Sequence, residues 1–178
     1  MPRHVASHLS DECLYAFRSA LGWMAIRGRQ GRLVALAFGQ RSAEAALRAC
    51  APTAPQPLPC SNWNARLVQD LCAYASGKPV DFRDTPIDLH RRTEFQQRVL
   101  EACRSIPWGQ TWTYAQLAAA AGYPGAARAV GQCMAANPIP LVIPCHRVVA
   151  SDGRLTGYSG PGGVRTKLRL LRLESAMP

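Results

Sequence analysis

The second half of the chain carries two capping-box signals, and each predicts where a short helix begins. Thr93 with Gln96, and Thr113 with Gln116, have the three-residue spacing in which the first side chain accepts from the backbone and the second reaches back to it. The second signal opens a helix predicted over 114–121. Helix starts this close together restrict the region to a set of short packed helices, so we expect a mostly helical C-terminal part.

Glycine and proline set the ends of these helices. Gly122 is a natural left-handed stop for the helix over 114–121, and Pro124-Gly125 turns the chain into a third helix predicted over 126–136. Two short helices joined in this way have the shape of a helix-turn-helix unit. Arg128 lies near the start of the second helix, where a recognition helix would contact DNA, although paired short helices are also common packing units.

The first half is predicted to be a small antiparallel sheet followed by two helices. Short apolar runs separated by turn residues, with one turn at 28–31, are typical of neighbouring strands. An alanine-rich helix is predicted over 42–50, and a second over 64–76. Nothing catalytic stands out in this half. The strands are predicted at 13–17, 23–26 and 33–38.

A polar stretch broken by prolines, residues 79–92, is typical of a connection between domains. We therefore predict a two-domain α/β (α+β) protein. Its N-terminal α/β domain would occupy residues 1–79, its linker 80–92 and its C-terminal domain 93–178.

The charge pattern favours a phosphate-rich partner. The chain has a net charge of +10, and 19 of its 21 basic residues are arginine. Residues 90–178 hold 11 basic and 4 acidic side chains, a net of +7, against +3 for residues 1–89. Guanidinium groups match phosphate oxygens with two parallel hydrogen bonds, so nucleic acid is the expected partner. Arginine-rich codon usage would explain the bias but not the net charge.

Several classes of protein are disfavoured by composition. No apolar run approaches the roughly 18 residues of a membrane helix, and the first residues lack the apolar core of a signal peptide, so we expect a cytoplasmic protein with no membrane partner. The seven cysteines are widely spaced without a C-x-x-C pair, which argues against a disulfide framework or a zinc finger. A zinc site at Cys13 with His4 or His8 is the remaining alternative; we predict no required metal and no cofactor.

The segment Pro144-Cys145-His146-Arg147-Val148 places a thiol beside an imidazole. A free cysteine is only a few per cent thiolate at neutral pH, and a neighbouring base raises that fraction. The apolar run 140–143 is interpreted as a short core strand that ends at Pro144. We therefore predict an activated nucleophile at a strand end, the alternative being an ordinary buried cysteine.

Six segments of the second half form a recognisable series. They are Ile106-Pro107-Trp108-Gly109, Thr113-Tyr114, Gly125-Ala126-Ala127-Arg128-Ala129-Val130-Gly131, Asn137-Pro138, Pro144-Cys145-His146-Arg147-Val148 and Gly157-Tyr158-Ser159-Gly160. In their order and spacing, over about residues 80–175, they resemble the O6-alkylguanine-DNA alkyltransferases. This resemblance implies a ribonuclease-H-like N-terminal domain and a helix-turn-helix in the C-terminal one. It also implies repair of double-stranded DNA by a monomer that flips O6-alkylguanine out of the stack and takes the alkyl group irreversibly, once per molecule.

The resemblance also implies roles for single residues. Cys145 would accept the alkyl group, His146 would act as its base through a water, and Glu174 would orient His146. Tyr114 would protonate the leaving guanine at N3, and Arg128 would fill the gap left by the flipped base. Further DNA contacts are predicted from Thr113, Gln116, Ala127, Ala129 and Gly131, and the guanine pocket from Met134, Asn137, Pro140, Val148, Tyr158 and Ser159.

One departure from the family pattern bears on Glu174. The loop Gly160-Pro161-Gly162-Gly163 holds two more residues before the last helix than the family pattern does. This difference makes the position of Glu174 relative to His146 uncertain from sequence, and it would also alter which alkyl groups fit. The alternative is that Glu174 is a solvated charge on the amphipathic last helix, whose apolar residues include Val164, Leu168 and Leu171.

Two other functional classes compete with the alkyltransferase. A non-enzymatic sensor of alkyl damage, or a helix-turn-helix regulator, would use the same DNA-binding helices, but sensors related to this family characteristically lack the cysteine. A cysteine hydrolase would use Cys145 and His146, but its histidine is normally distant in sequence, and no oxyanion hole is recognisable.

Overall fold

Three antiparallel strands form the sheet of the first half, as predicted. The computed structural model describes residues 12–51 and 61–175, and the strands are β1 (Glu12–Ser19), β2 (Gly22–Arg29) and β3 (Arg32–Gln40), in that order across the sheet. Because β2 is central, β3 is left as an edge strand that can bond to the second half of the chain.

Both predicted helices of the first half are confirmed, and each begins at a side-chain cap. Helix α1 (Ala43–Cys50) starts at Ser42, and helix α2 (Ala65–Ala75) starts at Asn64, whose side chain accepts from the backbone N–H of Leu67. Helix α1 covers one face of the sheet with small residues, while the other face joins the main core.

Four helices and a two-stranded parallel ladder form the second half. They are α3 (Glu94–Arg104), β4 (Trp112–Thr113), α4 (Tyr114–Ala120), α5 (Ala127–Ala135), β5 (Val148–Val149) and α6 (Val164–Leu173). Both predicted capping boxes are present, at Thr93–Gln96 and Thr113–Gln116, and Gly122 has a φ of 87° after α4. The local signals therefore place these helices correctly.

The apolar run 140–143 is not a strand, and that prediction is wrong. The chain makes a tight buried turn in which the N–H of Ile143 donates to the carbonyl of Ile139 at 2.9 Å and Leu141 takes a φ of 72°. The side chain of Asn137 closes the turn from both ends, donating to Ile143 O at 2.8 Å and accepting from Ile139 N at 3.0 Å. A short apolar run indicates burial but not backbone conformation, and here two flanking prolines and Asn137 select a turn.

The two halves share one hydrophobic core. The edge strand β3 bonds to later segments through Leu36 N to Pro138 O, at 2.9 Å, and Leu33 N to Pro86 O, at 2.8 Å. Buried side chains from both halves form a single cluster that includes Phe38, Leu71 and Leu170. The predicted division into domains at 79–92 stays a prediction, but the core continues across it.

Within residues 12–51 and 61–175, none of the helices has both the length and the apolar character needed to cross a membrane.

A close contact between Gly28 and Trp63 joins β2 to the segment before α2. A Cβ on Gly28 would lie 2.6 Å from two carbons of the indole ring. Gly28→Ala should therefore lower the free energy of unfolding by about 1–3 kcal/mol, the usual cost of overpacking. Urea denaturation measures the loss. In a Trp63→Ala background the same added methyl should cost much less, and an equal cost in both backgrounds would contradict this contact.

Candidate active site

The turn at 139–143 delivers Cys145 to the inside of the molecule. Residues 145–147 form a single 3₁₀ turn, and Cys145 is only 6% exposed. Its backbone N–H donates to Ile143 O at 2.8 Å, which ties Cys145 to the turn that Asn137 closes.

The surroundings of the thiol favour its neutral form. Burial raises the pKa of Cys145, while hydrogen bonding from Asn137 and the charge of Lys167 act in the opposite direction. The burial effect dominates, so Cys145 rests as a thiol and needs a base before it can attack.

Behind the thiol, His146 and Glu174 are in direct contact. The Nε2 of His146 lies 2.8 Å from Glu174 Oε1, and both side chains are completely buried. Two alternatives from the sequence are therefore wrong: the longer 160–163 loop does not move Glu174 away, and Glu174 is not a solvated charge.

The reason lies in the register of α6. Its buried stripe has the spacing i, i+3, i+4, i+7, so the residue that ends the stripe is carried inward with it. Val164 begins the stripe that the sequence suggested, yet it is 42% exposed, and Leu168 is only half-buried. The buried stripe is Lys167, Leu170, Leu171 and Glu174.

Arg147 completes the surroundings of the Glu174 carboxylate. Its Nε donates to Oε2 at 2.8 Å and its Nη2 to Oε1 at 3.1 Å, while its Nη1 donates to the carbonyl of Ile106 at 2.5 Å. Burial by itself would raise the pKa of Glu174, but the hydrogen bonds and charges of His146 and Arg147 lower it to about 2. Glu174 is therefore an ionised acceptor.

Because a carboxylate only accepts, the Nε2 of His146 carries the hydrogen in this contact. The other ring nitrogen, Nδ1, is buried and makes no hydrogen bond to any of the residues described. Burial lowers the pKa of His146, against the raising effect of Glu174, so the resting ring is neutral with a basic Nδ1.

Tyr74 is a site residue that the sequence did not indicate. It comes from α2, in the half where no catalytic residue was expected, and its hydroxyl donates to Glu174 Oε1 at 2.6 Å and lies 3.2 Å from His146 Nε2. No local signal marks it, because a tyrosine on the apolar face of a helix is usually a core residue.

Lys167 is a second residue that the sequence analysis missed. Its ammonium donates to the carbonyls of Val148, at 2.6 Å, and Thr156, at 3.0 Å, and lies 5.9 Å from the ring centroid of Tyr114. Burial lowers its pKa, and the nearby Cys145 thiol opposes this. The sequence offers no signal for it, because lysine is usually exposed and only the packing of α6 shows that Lys167 is buried.

A cavity of about 700 Å³ opens on Cys145 from the side of α4 and α5. This volume lies within the roughly 300–1,000 Å³ of most small-molecule sites. The predicted residues that line it are Thr113, Tyr114, Ala127, Arg128, Gly131, Met134, Cys145, Tyr158 and Ser159.

A second cavity, of about 610 Å³, reaches Cys145 from the side of β3 and shares Tyr158 and Ser159 with the first. Asn137 and Pro140, predicted for the guanine pocket, line this second cavity. The loop at 158–161 is therefore the wall between the two openings.

Besides the buried His146 and Glu174, three predicted residues line neither cavity. Val148 is buried and contributes its carbonyl to Lys167, Gln116 is exposed and caps α4 through Thr113, and Ala129 is exposed on α5. Any contact of Gln116 or Ala129 with DNA would be on the outer surface.

No group of three or more metal-ligating side chains comes together among the residues that the structure describes. The alternative zinc site would need His4 or His8, which lie outside these residues.

The chain is similar to known alkyltransferases in sequence. Residues 94–176 match the family model of the 6-O-methylguanine DNA methyltransferase DNA binding domain. The methylated-DNA–protein-cysteine methyltransferase of Mycobacterium tuberculosis is 48% identical over 109 residues, which cover 61% of this chain and 64% of that protein. The protein of the same name from Mycobacterium leprae is 46% identical over 117 residues, 66% of this chain and 68% of the relative.

The similarity extends to three dimensions and to nearly the whole chain. The crystal structure of Mycobacterium tuberculosis OGT in complex with DNA superposes with a TM-score of 0.76 at 36% identity, covering 92% of this chain and 93% of that one. The mixed α/β fold, with small sheets and six α-helices in the described part of the chain, is thus shared with these enzymes. On these grounds the chain belongs to the methylated-DNA–protein-cysteine methyltransferase family.

Proposed function

We propose that this protein repairs O6-alkylguanine in duplex DNA by moving the alkyl group to its own Cys145, once per molecule. The observation that carries the proposal is the position of Cys145 at the end of an open cavity, with the buried His146–Glu174 pair behind it. Relatives named for this activity and a similar structure solved with DNA support the assignment.

The chemical step needs one proton removed and one supplied. The Cys145 thiol gives its proton through a water to Nδ1 of His146, and the resulting imidazolium is stabilised by Glu174. The sulfur attacks the alkyl carbon, a carbon–sulfur bond forms, and the bond between that carbon and O6 breaks. The guanine leaves with the electron pair and takes a proton at N3 from Tyr114. This leaves a Tyr114 phenolate and a His146 imidazolium, and solvent returns the proton from His146 to Tyr114. The net result is a thioether and a neutral guanine.

The polar groups lining the cavity match this step. Tyr114 and Tyr158 both line the cavity, and the ammonium of Lys167 lies 5.9 Å from the ring centroid of Tyr114. The walls at Met134 and Ser159 would enclose the base.

We infer that α4 and α5 act as the helix-turn-helix that holds the duplex. The two helices pack against each other, and Arg128, in the first turn of α5, is exposed at the mouth of the cavity. An arginine there can enter the stack when the base leaves it. The basic balance of residues 90–178 would add sequence-independent attraction to phosphates. A ribonuclease-H-like first domain and a monomeric state stay predictions of the resemblance, and a cytoplasmic location stays a prediction from composition.

The first prediction concerns stoichiometry. Wild-type protein mixed with excess O6-methylguanine duplex should take up about one methyl group per molecule, because the thioether has no route back to a thiol. Cys145→Ala should take up none and still bind the duplex, whereas Cys72→Ala should behave as wild type. Intact-protein mass spectrometry measures the uptake. Continued turnover would identify a hydrolase instead, and DNA binding without any uptake would identify a sensor.

The second prediction concerns base flipping. Arg128→Ala should slow repair of duplex DNA by about 10-fold or more, because stacking lost at the flipped base costs a few kcal/mol. Its reaction with free O6-benzylguanine should be nearly unchanged, since the free base needs no flipping. Arg48→Ala on α1 is the matched control and should alter neither rate. Equal losses on both substrates would place Arg128 in the pocket or the fold.

The third prediction concerns Glu174. Glu174→Gln should lower the transfer rate by about 10²-fold, within the usual range for general acid–base catalysis, because the imidazolium of His146 loses its counter-charge. The apparent pKa of Cys145 should rise for the same reason, so the rate should recover as the pH is raised. Duplex affinity should change little.

The same variant leaves Arg147 buried without its partner, so the free energy of unfolding should also fall, by about 3–5 kcal/mol. Rates are therefore compared below the melting temperature of the variant. Glu101→Gln, at an exposed glutamate, is the control. A Glu174→Gln variant with the wild-type pH profile would show that His146 works without this carboxylate.

A further inference from the structure

Tyr74 connects the first half of the chain to the reacting groups. It is completely buried, and its hydroxyl lies 2.6 Å from Glu174 Oε1 and 3.2 Å from His146 Nε2. The proposed transfer needs only the pair of His146 and Glu174, so the hydroxyl of Tyr74 is a third polar group with no assigned part in it.

The orientation of this hydroxyl follows from its two neighbours. Glu174 is ionised and can only accept, so the hydrogen of Tyr74 points at the carboxylate. Nε2 of His146 carries a hydrogen that it donates to Glu174, so it cannot accept one from Tyr74. The atom of Tyr74 that faces Nε2 is therefore the hydroxyl oxygen. The negative end of the hydroxyl dipole therefore faces the imidazole.

Aromatic packing holds the hydroxyl in this place. The ring of Tyr74 meets Trp108 edge-on, with centroids 5.3 Å apart, and contacts Phe82 at 5.9 Å. The pKa of Tyr74 is raised by burial and by the neighbouring Glu174 charge, so the phenol keeps its hydrogen across the ordinary pH range. The dipole is thus fixed in both position and protonation state.

We propose that Tyr74 is a positioning residue for alkyl transfer, one that stabilises the imidazolium form of His146 and so promotes ionisation of Cys145. The proposal rests on the proposed function, since it concerns the same step. Glu174 is ionised before and after His146 is protonated, so the bond from Tyr74 to Glu174 changes little. The attraction between the Tyr74 hydroxyl oxygen and the ring of His146 is stronger when the ring is protonated. This attraction therefore favours the imidazolium over the neutral imidazole.

Other charged groups face His146 from the elements packed around it. Lys167 and Glu174 belong to α6, and Cys145 and Arg147 belong to the 3₁₀ turn. Arg147 and Lys167 oppose protonation of the ring, whereas Glu174 favours it. Tyr74 would act with Glu174 in favouring protonation of His146, against the effect of the two cations. The four charged or ionisable groups themselves are unchanged in a Tyr74→Phe variant.

The test is the pH dependence of methyl transfer by Tyr74→Phe under single-turnover conditions with O6-methylguanine duplex. Below the midpoint for Cys145 ionisation the variant should be up to about tenfold slower, and its midpoint should lie up to about one pH unit higher than in wild type. Well above both midpoints the two rates should converge, because the thiolate then forms without His146.

Two controls separate this effect from a loss of folding. Leu71→Ala removes a buried side chain from the same helix and should lower the melting temperature without moving the midpoint. Tyr15→Phe makes the same chemical change at a tyrosine on β1 and should leave the melting temperature and the midpoint unchanged. A ring-fluorinated tyrosine at position 74 keeps the hydroxyl but weakens its oxygen as an acceptor, so it should also raise the midpoint.

The outcomes are distinguishable. A rate loss of equal size at every pH, or a Tyr74→Phe profile identical to wild type, would overturn the role of Tyr74 while methyl uptake by wild type still supports the proposed function. A wild-type protein that takes up no methyl group would overturn the proposed function itself.

Discussion

A buried carboxylate organises this structure. Transferring an unpaired charge into a protein interior is prohibitively costly, so Glu174 can stay ionised at 1% exposure only if donors surround it. His146, Arg147 and Tyr74 supply them, at distances between 2.6 and 3.1 Å. These partners come from α2 and from the 3₁₀ turn, so the requirement to satisfy one carboxylate brings together elements that are about a hundred residues apart in sequence.

The same carboxylate sets the hydrogen-bonding state of His146, the residue that follows Cys145. Because Glu174 accepts from Nε2 of His146, the hydrogen stays on that nitrogen and Nδ1 is left as the basic one. A proton acceptor for Cys145 would need this state of the ring. The thiol itself is kept neutral by burial. A cysteine held in this way reacts only when a base is correctly placed.

The approach to the thiol depends on backbone geometry more than on charge. The turn closed by Asn137 and the loop at 158–161 leave Cys145 at the meeting point of two cavities. Pro161 rests close to Gly39, where a Cβ would come within 3.0 Å of the proline ring, so the enlarged loop is seated against the edge strand β3. The N-terminal sheet thereby supports one wall of the site as well as the core beneath it.

The sequence by itself determined the features that depend on neighbouring residues: the capping boxes at Thr93 and Thr113, the stop at Gly122, and the adjacency of Cys145 and His146. The family resemblance added Glu174. Tertiary structure decided the rest, because burial is a property of packing. A four-residue apolar run could not distinguish a strand from the turn at 139–143, and helical spacing did not show which stripe of α6 faces inward until the core selected Lys167. Tyr74 reaches the site only through contacts a hundred residues away, which no local pattern encodes.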